Sequence, residues 1–364
     1  MEPGLIKDTT TFLATNPTKQ QLLDFVSSYD QPEEYVRTDN ISDRFSLFPI
    51  VDEEAYAFYK KQEASMWSSN EISFIQDKKD YEAAPEPYKR LLRTIVTFFL
   101  PGDGLVNNNL IHRFMKDCTC AEEVAFYTYQ MANETTHAET YGLTAYTIFS
   151  QKEVEQMGRD VNSHESYFRL KTDFIDKWTQ SNRPWSHRQL AMACTEGIFF
   201  VVLFLFVFWF RSKNIFKNVI FANELISTDE TLHQDFGANR VVHYGGVSRE
   251  TAIEIIGSAV EIEMEFISRV LPQPLEDLNI TDIRSFVSLV ADNLFVKIGQ
   301  EPYYHAKNPY LWMNDVAMVK RNLLFECKSG TYTKMSHTEA ADWETRSGQR
   351  EEELEEVSPF DFNF

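Results

Sequence analysis

From Ala191 to Phe210 the chain reads AMACTEGIFFVVLFLFVFWF, an almost wholly apolar stretch. It has about the twenty residues that a helix needs to cross a bilayer. Glu196 lies inside it, however, and a carboxylate is costly in hydrocarbon unless it has a function and partners. No second comparable stretch occurs in the sequence. Two interpretations follow: a membrane span, or a helix buried on all sides within a large helical protein. The buried helix is favoured once Glu196 has partners, which the motifs below supply.

The rest of the sequence favours a helical protein. Apolar residues recur at three- and four-residue spacing, strict apolar–polar alternation is rare, and glycine is scarce, with 13 residues. The chain has neither a dinucleotide-binding glycine fingerprint nor a phosphate-binding loop. Prolines at 85, 87 and 184 mark expected helix starts. We predict helices over residues 52–66, 88–112, 121–150, 163–180, 215–242, 249–269 and 281–298, and one after Pro184 that contains Glu196.

Two Glu-x-x-His motifs occur in the chain, Glu134–His137 and Glu230–His233. Each follows an acidic residue in an apolar segment: Asp103 lies 31 residues before the first motif, and Glu196 lies 34 residues before the second. Residues three apart on a helix face the same side, so each motif can bind one ion. Four helices that converge in this way match the described pattern of ferritin-like proteins with two metal ions. The sequence therefore predicts a two-metal site.

The types of ligand favour iron or manganese. Oxygen-rich sites with two imidazoles suit these metals better than the thiolate sites typical of zinc or copper. Four carboxylates nearly neutralise two divalent ions, so a buried site carries little net charge. The alternative is that these residues are surface acids of amphipathic helices. It fits poorly for Asp103 in FFLPGDGLV and Glu196 in TEGIFFVVL, because an unpaired carboxylate is costly in such surroundings.

Six segments of the chain are similar to a known family. They are YKKQEASMW (59–67), FFLPGDGLVNNNL (98–110), NETTHAETYGL (133–143), TEGIFF (195–200), NELISTDETLHQDF (223–236) and NPYLWM (308–313). With them the chain resembles the radical-generating small subunit of class I ribonucleotide reductases. The resemblance implies an all-α, ferritin-like helical bundle with additional helices and a flexible acidic C-terminal tail. It also implies a homodimer with two iron ions per chain, although manganese is not excluded.

The activity implied by the resemblance is ribonucleoside-diphosphate reductase. In that family an oxygen-activated di-iron site generates a tyrosyl radical, which the large subunit uses to reduce ribonucleotides to deoxyribonucleotides. Tyr141 matches the radical tyrosine, and it follows His137 by four residues, on the same helical face. Such a radical survives only in a dry pocket. Phe200 and Phe204 follow Glu196 by four and eight residues and are expected to form part of its wall.

Further roles follow from the resemblance, position by position. Trp67 and Asp229 match the route of radical transfer outward from a metal-bound histidine, and Tyr332 matches the tail tyrosine that relays across the subunit interface. Thr228 departs from the family where arginine is usual, and Pro101 departs where small residues are usual. The expected metal ligands are Asp103, Glu134, His137, Glu196, Glu230 and His233.

Composition limits the partners and the compartment. The formal net charge of −20 argues against nucleic acid and anionic membranes. Four irregularly placed cysteines do not form a disulfide framework, and no signal peptide is visible, so we expect a cytoplasmic protein. Three regions are predicted: a variable N-terminal segment over 1–40, a ferritin-like di-metal domain over 41–314, and a flexible tail over 315–364 that docks the large subunit.

Three other functions share part of this pattern. A di-iron storage or oxygen-reducing protein has the same ligands, but it does not explain why Tyr141, Trp67, Asp229 and Tyr332 occur together. A membrane-bound di-iron oxidase places Glu196 within its span, and solubility without detergent distinguishes it. A non-enzymatic helical interaction protein binds no stoichiometric iron.

The chain closes on an acidic run, EEELEE at 351–356, followed by an aromatic segment, Val357 to Phe364. Ordering such a tail on a partner costs free energy. Phe360, Phe362 and Phe364 can offset this cost by entering apolar pockets, and in an extended chain their alternate spacing puts them on one side. The acidic run then acts mainly on encounter rate and salt dependence.

We expect a peptide of the last eight residues, 357–364, to compete with the whole chain for the large subunit. Deleting these residues weakens that binding while iron content and radical yield stay unchanged, because the tail lies outside the predicted helical domain. Surface plasmon resonance and EPR spectroscopy of the truncated protein measure the two effects. Undiminished affinity after truncation would move the docking role to the helical body.

Overall fold

A computed structural model of the chain describes residues 46–313 except 119, 163–168 and 181, and all of these belong to one compact unit. Ten helices longer than one turn form within this range. They are α1 (Glu53–Ala64), α2 (Ile75–Ala83), α3 (Glu86–Asn109), α4 (Ala121–Ile148), α5 (Gln151–Asn162), α6 (Arg169–Gln180), α7 (Trp185–Trp209), α8 (Lys217–His243), α9 (Arg249–Val270) and α10 (Ile280–Lys297). Short 3₁₀ turns cover Ser69–Glu71, Phe210–Lys213 and Leu311–Met313.

The predicted all-α fold is confirmed, since the described residues form helices and no β-strand. Two helices were not predicted, α2 and α5. α2 is short and mostly polar and shows little apolar periodicity. α5 does carry apolar residues at three- and four-residue spacing, Val154, Met157 and Val161, so this pattern could have identified it. The regions 1–40 and 315–364, and with them Tyr332 and the docking tail, lie outside the described residues. The predicted division into three regions stays a prediction.

The apolar stretch that dominates the sequence is the central helix of the protein. Every residue from Ala191 to Phe210 is buried. By length and composition α7 could cross a membrane, but its most apolar part is wholly covered by other described residues. It packs against α8 along its length and also contacts α3, α6, α9 and α10. Its apolar surface is therefore removed from water by protein, and burial of this kind is the main stabilising contribution to folding.

Four helices form the bundle that holds the candidate site. α3 packs on α4, and α7 packs on α8. The two pairs are joined because α4 also contacts α8, and α7 also contacts α3. At Gly197 the side chain of Gln234 from α8 occupies the space that a Cβ atom would take: a Cβ atom there would lie 1.4 Å from Nε2 of Gln234. Glycine at this position, next to Glu196, thus leaves room for a buried side chain of α8.

Buried acids outside the site fix the ends of the bundle. Asp77 of α2 accepts hydrogen bonds from the backbone N–H groups of Asn218 and Val219, at 3.0 and 3.2 Å, and so caps the start of α8. Asp292 of α10 accepts from the N–H groups of Tyr303 and Tyr304, at 2.8 and 2.7 Å, and holds the segment after α10. The Asp77 contacts fix where α8 begins and hence the position of its Glu-x-x-His motif along the bundle axis.

Candidate metal centre

The six predicted ligands come together in the middle of the bundle. α3 and α7 each contribute one carboxylate, and α4 and α8 each contribute one Glu-x-x-His motif. All six side chains are at most 2% exposed. They are Asp103, Glu134, His137, Glu196, Glu230 and His233.

The ligand atoms fall into two overlapping sets. Asp103, Glu134, His137 and Glu230 form the first, and Glu134, Glu196, Glu230 and His233 form the second; within each set the ligand atoms lie within 4.8 Å of one another. We call the first position A and the second position B. Glu134 and Glu230 belong to both. Each position can hold one ion, and the two shared carboxylates can bridge them.

The two shared carboxylates span the space between the imidazoles. Glu134 places Oε2 3.3 Å from Nδ1 of His137 and Oε1 3.0 Å from Nδ1 of His233. Glu230 does the same, with Oε1 3.1 Å from His137 Nδ1 and Oε2 3.2 Å from His233 Nδ1. Each carboxylate therefore turns one oxygen towards each position. Both histidines turn Nδ1 inward, which identifies Nδ1 as the candidate ligand atom.

Unpaired buried atoms show that protein groups alone do not satisfy this cluster. Five of the six residues have a buried polar atom without a hydrogen-bond partner among the described residues. They are Oδ2 of Asp103, Oε2 of Glu134, Nδ1 of His137, Oε2 of Glu196 and Oε1 of Glu230. Such atoms are rare in proteins and costly unless they bind something. The donor set, oxygen-rich with two imidazoles, fits a pair of iron or manganese ions.

Electrostatics leads to the same conclusion. Burial, reinforced by the charge of Glu134, raises the pKa of Asp103 well above its ordinary value. Burial and the charge of Glu230 raise the pKa of Glu196 in the same way. Without a cation, these carboxylates therefore resist ionisation. Two divalent ions would supply the charge that lets all four carboxylates stay ionised.

Behind His137, a polar connection runs to the edge of the bundle. The outer nitrogen of His137, Nε2, lies 3.1 Å from Oδ2 of Asp229. The same oxygen accepts a 2.8 Å hydrogen bond from Nε1 of Trp67. The Trp67 and His137 rings are nearly parallel, with centroids 6.0 Å apart. Asp229 thus joins the partly exposed indole to the buried imidazole, as expected for a residue that fixes the tautomer of a metal ligand.

Two glutamines that were not predicted contact the other ligands. Gln62 of α1 places Nε2 2.6 Å from the outer nitrogen, Nε2, of His233. Gln130 of α4 donates a 2.7 Å hydrogen bond from Nε2 to Oε1 of Glu196. Gln130 precedes Glu134 by four residues, so helical spacing could have indicated it. Gln62 lies five residues before Trp67, and no local pattern connects it to His233.

Tyr141 is buried beside the cluster. Burial, followed by the charges of Asp103, Glu230 and Glu134, raises the pKa of its phenol well above the ordinary value. The hydroxyl donates a 2.8 Å hydrogen bond to Oδ1 of Asn223. In turn, the Asn223 amide nitrogen donates to the backbone oxygen of residue 219 in α8, at 2.8 Å, which fixes the amide orientation.

The aromatic wall beside Tyr141 differs in one respect from the prediction. Phe99 of α3 stacks directly on the Tyr141 ring, with centroids 4.4 Å apart and planes 5° from parallel. Phe200 and Phe204 are fully buried and contact Phe99, at centroid distances of 5.8 and 5.3 Å, so they form the layer behind it. Phe99 precedes Asp103 by four residues, and this spacing could have identified it.

The two positions that depart from the family pattern, Thr228 and Pro101, do not disturb the site. Thr228 is exposed, and its hydroxyl donates to the backbone oxygen of Glu224 within α8 at 2.8 Å. Pro101 lies inside α3, which nevertheless stays α-helical from Glu86 to Asn109. The helix changes to a π-helical turn only at Leu110–Phe114, beyond Asp103.

Comparisons with known proteins agree with this geometry. Residues 44–309 match the family described as ribonucleotide reductase, small chain. Over 299 residues the protein is 35% identical to one of the ribonucleoside-diphosphate reductase small chains of Arabidopsis thaliana, and the alignment covers 80% of this sequence and 86% of the relative. It is 34% identical over 295 residues to the small chain of vaccinia virus strain Ankara, covering 80% and 92%.

A solved structure is similar over most of its length. The ribonucleotide reductase Rnr4 homodimer of Saccharomyces cerevisiae superposes with a TM-score of 0.69 at 28% identity. The alignment covers 83% of this chain and 95% of that one.

Glu230→Ala tests the shared role of this carboxylate. We expect the wild-type protein to bind about two ferrous ions per chain, as ferritin-like di-metal sites do. Glu230→Ala is expected to lower the content at both positions, because it removes a ligand from each. Glu196→Ala is expected to affect position B alone. Iron is measured after anaerobic loading and desalting.

Glu224→Gln is the matched control, since Glu224 lies on the same helix but is exposed and paired with Arg211. It is expected to leave the iron content unchanged. Two retained ions in Glu230→Ala would contradict a bridging role for Glu230.

Proposed function

The chain belongs to the ribonucleotide reductase small-chain family, and on this premise we propose that it generates a tyrosyl radical on Tyr141 beside a di-iron centre. The observation that carries the proposal is the pair of four-residue sets that share Glu134 and Glu230. Bridging carboxylates hold two ions close together, as cooperative oxidation chemistry requires. A storage protein needs the same ligands but not the enclosed tyrosine next to them.

The metal ions would occupy positions A and B. When bound, a pair of iron ions supplies the electrons that reduce dioxygen and, in doing so, the oxidising power that acts on Tyr141. Manganese fits the same ligand set, because hard oxygen ligands and imidazole suit both metals. The protein contributes the placement of the ligands, the exclusion of water and the partners of the two imidazoles.

The surroundings of Tyr141 suit a long-lived radical. Oxidation of Tyr141 to a neutral radical would remove one electron, which dioxygen takes up, and the phenolic proton, which the neighbouring carboxylate of Asp103 would accept. The amide oxygen of Asn223, which accepts the phenol hydrogen bond, is too weak a base to keep that proton. The stacked ring of Phe99 and the layer of Phe200 and Phe204 exclude water and offer no group that is easily oxidised. The radical is therefore protected from quenching.

Trp67, Asp229 and His137 form the inner part of a transfer route. Their hydrogen bonds make a continuous connection between position A and a partly exposed indole. Asp229 can keep both ring N–H groups fixed while an electron moves along the route. We propose that Tyr332, in the tail, continues the route towards the large subunit.

The partners follow from the family and from the surface of α4. We propose a homodimer, as in the Rnr4 structure, and a large subunit that binds the C-terminal tail. One face of α4 is exposed and almost free of charge. It carries three exposed large apolar side chains, Val124, Leu143 and Tyr146, which are 37%, 38% and 75% exposed. It also carries Thr128, Ala132 and Thr135 at three- and four-residue spacing. A second copy of the protein would cover this face. We propose a cytoplasmic location.

Tyr141→Phe is expected to keep both ions and to lose the radical. Phenylalanine preserves the ring and its stacking on Phe99 but has no hydroxyl to oxidise. Apoprotein receives ferrous iron and oxygen, and iron content and EPR spectra are compared with those of the wild type. Phe98→Leu, in the layer of rings that contact Phe99, serves as a packing control that keeps Tyr141. An undiminished tyrosyl signal in Tyr141→Phe would show that the radical resides elsewhere.

Three substitutions test the transfer route: Trp67→Phe, Asp229→Asn and Tyr332→Phe. Each removes a redox-active ring or the carboxylate that joins Trp67 to His137. When ferrous iron is supplied in excess, so that weaker metal binding is compensated, we expect each variant to form the Tyr141 radical and to support almost no nucleotide reduction with the large subunit. The assay is deoxyribonucleotide formation alongside binding of the large subunit. Normal turnover in any one variant would exclude that residue from the route.

A further inference from the structure

The two candidate metal positions differ in the group behind the imidazole. His137 of position A has the carboxylate of Asp229 behind its outer nitrogen, at 3.1 Å. His233 of position B has the side-chain amide of Gln62, at 2.6 Å. Gln62 is completely buried, with no exposed surface. One imidazole is therefore supported by a charged acceptor and the other by a neutral group.

The chemistry of metal binding fixes how Gln62 contacts His233. Nδ1 of His233 faces the bridging carboxylates, so binding an ion there leaves the ring proton on Nε2. Nε2–H then needs an acceptor. The amide oxygen of Gln62 has no other partner among the described residues, and a half-turn of the amide exchanges its oxygen and nitrogen. In the metal-bound state Oε1 of Gln62 accepts from Nε2 of His233.

The rest of the described surroundings give His233 no comparable support. The ring of Phe126 lies edge-on to the imidazole, with centroids 6.3 Å apart, and it offers no acceptor comparable to an amide. Phe236 stacks on Phe126 and extends this apolar wall. Gln62 is thus the polar partner on this side of the imidazole in the described part of the protein.

We propose that Gln62 is a positioning residue for position B, and that its neutral amide makes position B the weaker of the two metal positions. A carboxylate that accepts the N–H of a ligating imidazole makes the other ring nitrogen a stronger donor to the metal. A neutral amide oxygen has a smaller effect. Position A therefore fills first and position B second. The inference rests on the proposed di-metal function, and it gives the two ions different affinities before oxygen arrives.

Titration of the metal-free protein with Mn²⁺, without oxygen, tests the proposal. Free Mn²⁺ is measured by EPR, and the same spectra distinguish a single bound ion from a coupled pair. For the wild type we expect two binding steps, with the coupled signal appearing in the second. Gln62→Met fills the same space without a strong acceptor. It is expected to weaken the second step by about 10–100-fold, the usual effect of losing such a partner, and to leave the first step unchanged.

Two further variants separate hydrogen bonding from packing. Gln62→Glu places a carboxylate of the same shape behind His233, so it is expected to strengthen the second binding step relative to the wild type. Asp229→Asn replaces the carboxylate behind His137 by a neutral amide. It is therefore expected to weaken the first binding step and to reduce the difference in affinity between the two steps. Glu63→Gln is the control on the same helix. Glu63 accepts a hydrogen bond from the hydroxyl of Tyr59 and does not contact a candidate ligand. It is expected to change neither step.

The outcomes distinguish this inference from the proposed function. Failure of the wild type to bind two ions would overturn both. Two ions in the wild type, with an unchanged second step in Gln62→Met, would overturn the role of Gln62 alone. Equal weakening of both steps, together with a lower melting temperature of the metal-free variant, would show that Gln62 only supports packing and would also overturn the proposal.

Discussion

Four carboxylates converge in the dry centre of this protein, and the rest of the structure depends on that constraint. Like charges in a low-dielectric interior repel strongly, and ions removed from water lose several kcal/mol of hydration. Within the described residues, Oδ2 of Asp103 and Oε2 of Glu196 have no hydrogen-bond partner. Burial disfavours ionisation of these two carboxyl groups, so the fold has to hold all four acids in place until cations bind.

Helix packing provides that restraint. α7 is buried over its whole apolar stretch, so Glu196 cannot turn towards water without removing a long helix from the core. Gly197 leaves room beside Glu196 for the buried side chain of Gln234 from α8. The cap that Asp77 forms on α8 fixes the helix along its axis. The stability of an apolar core thus holds a strained arrangement of charges, as is common at functional sites.

Hydrogen bonds around the ligands then give each group its own task. Asp229 supports His137 and connects it to Trp67, so position A faces the exit route. Gln62 supports His233 from the opposite side without extending to a redox-active ring. Asn223 holds the hydroxyl of Tyr141, and the ring is covered by Phe99. The symmetric set of candidate ligands is therefore placed in asymmetric surroundings, as the proposed directional electron transfer requires.

The sequence alone predicted the helical class, the buried role of α7 and the candidate ligand set. Helical period and residue chemistry are local properties: residues three and four apart share a face, and an acid within an apolar run needs a partner. The same spacing relates Tyr141 to the first Glu-x-x-His motif. Trp67 and Asp229 were identified through the resemblance to a family, because no helical spacing in the sequence connects them to His137.

Only the tertiary structure decided which groups meet across helices. Glu134 and Glu230, nearly one hundred positions apart, emerge as the shared carboxylates because α4 and α8 face each other at the same height. Phe99 rather than Phe200 or Phe204 stacks on Tyr141, because α3 lies nearest that ring. Gln62 meets His233 from a helix outside the motif pattern. The reason is physical: a helix fixes the directions of its own side chains, whereas packing between helices sets their partners.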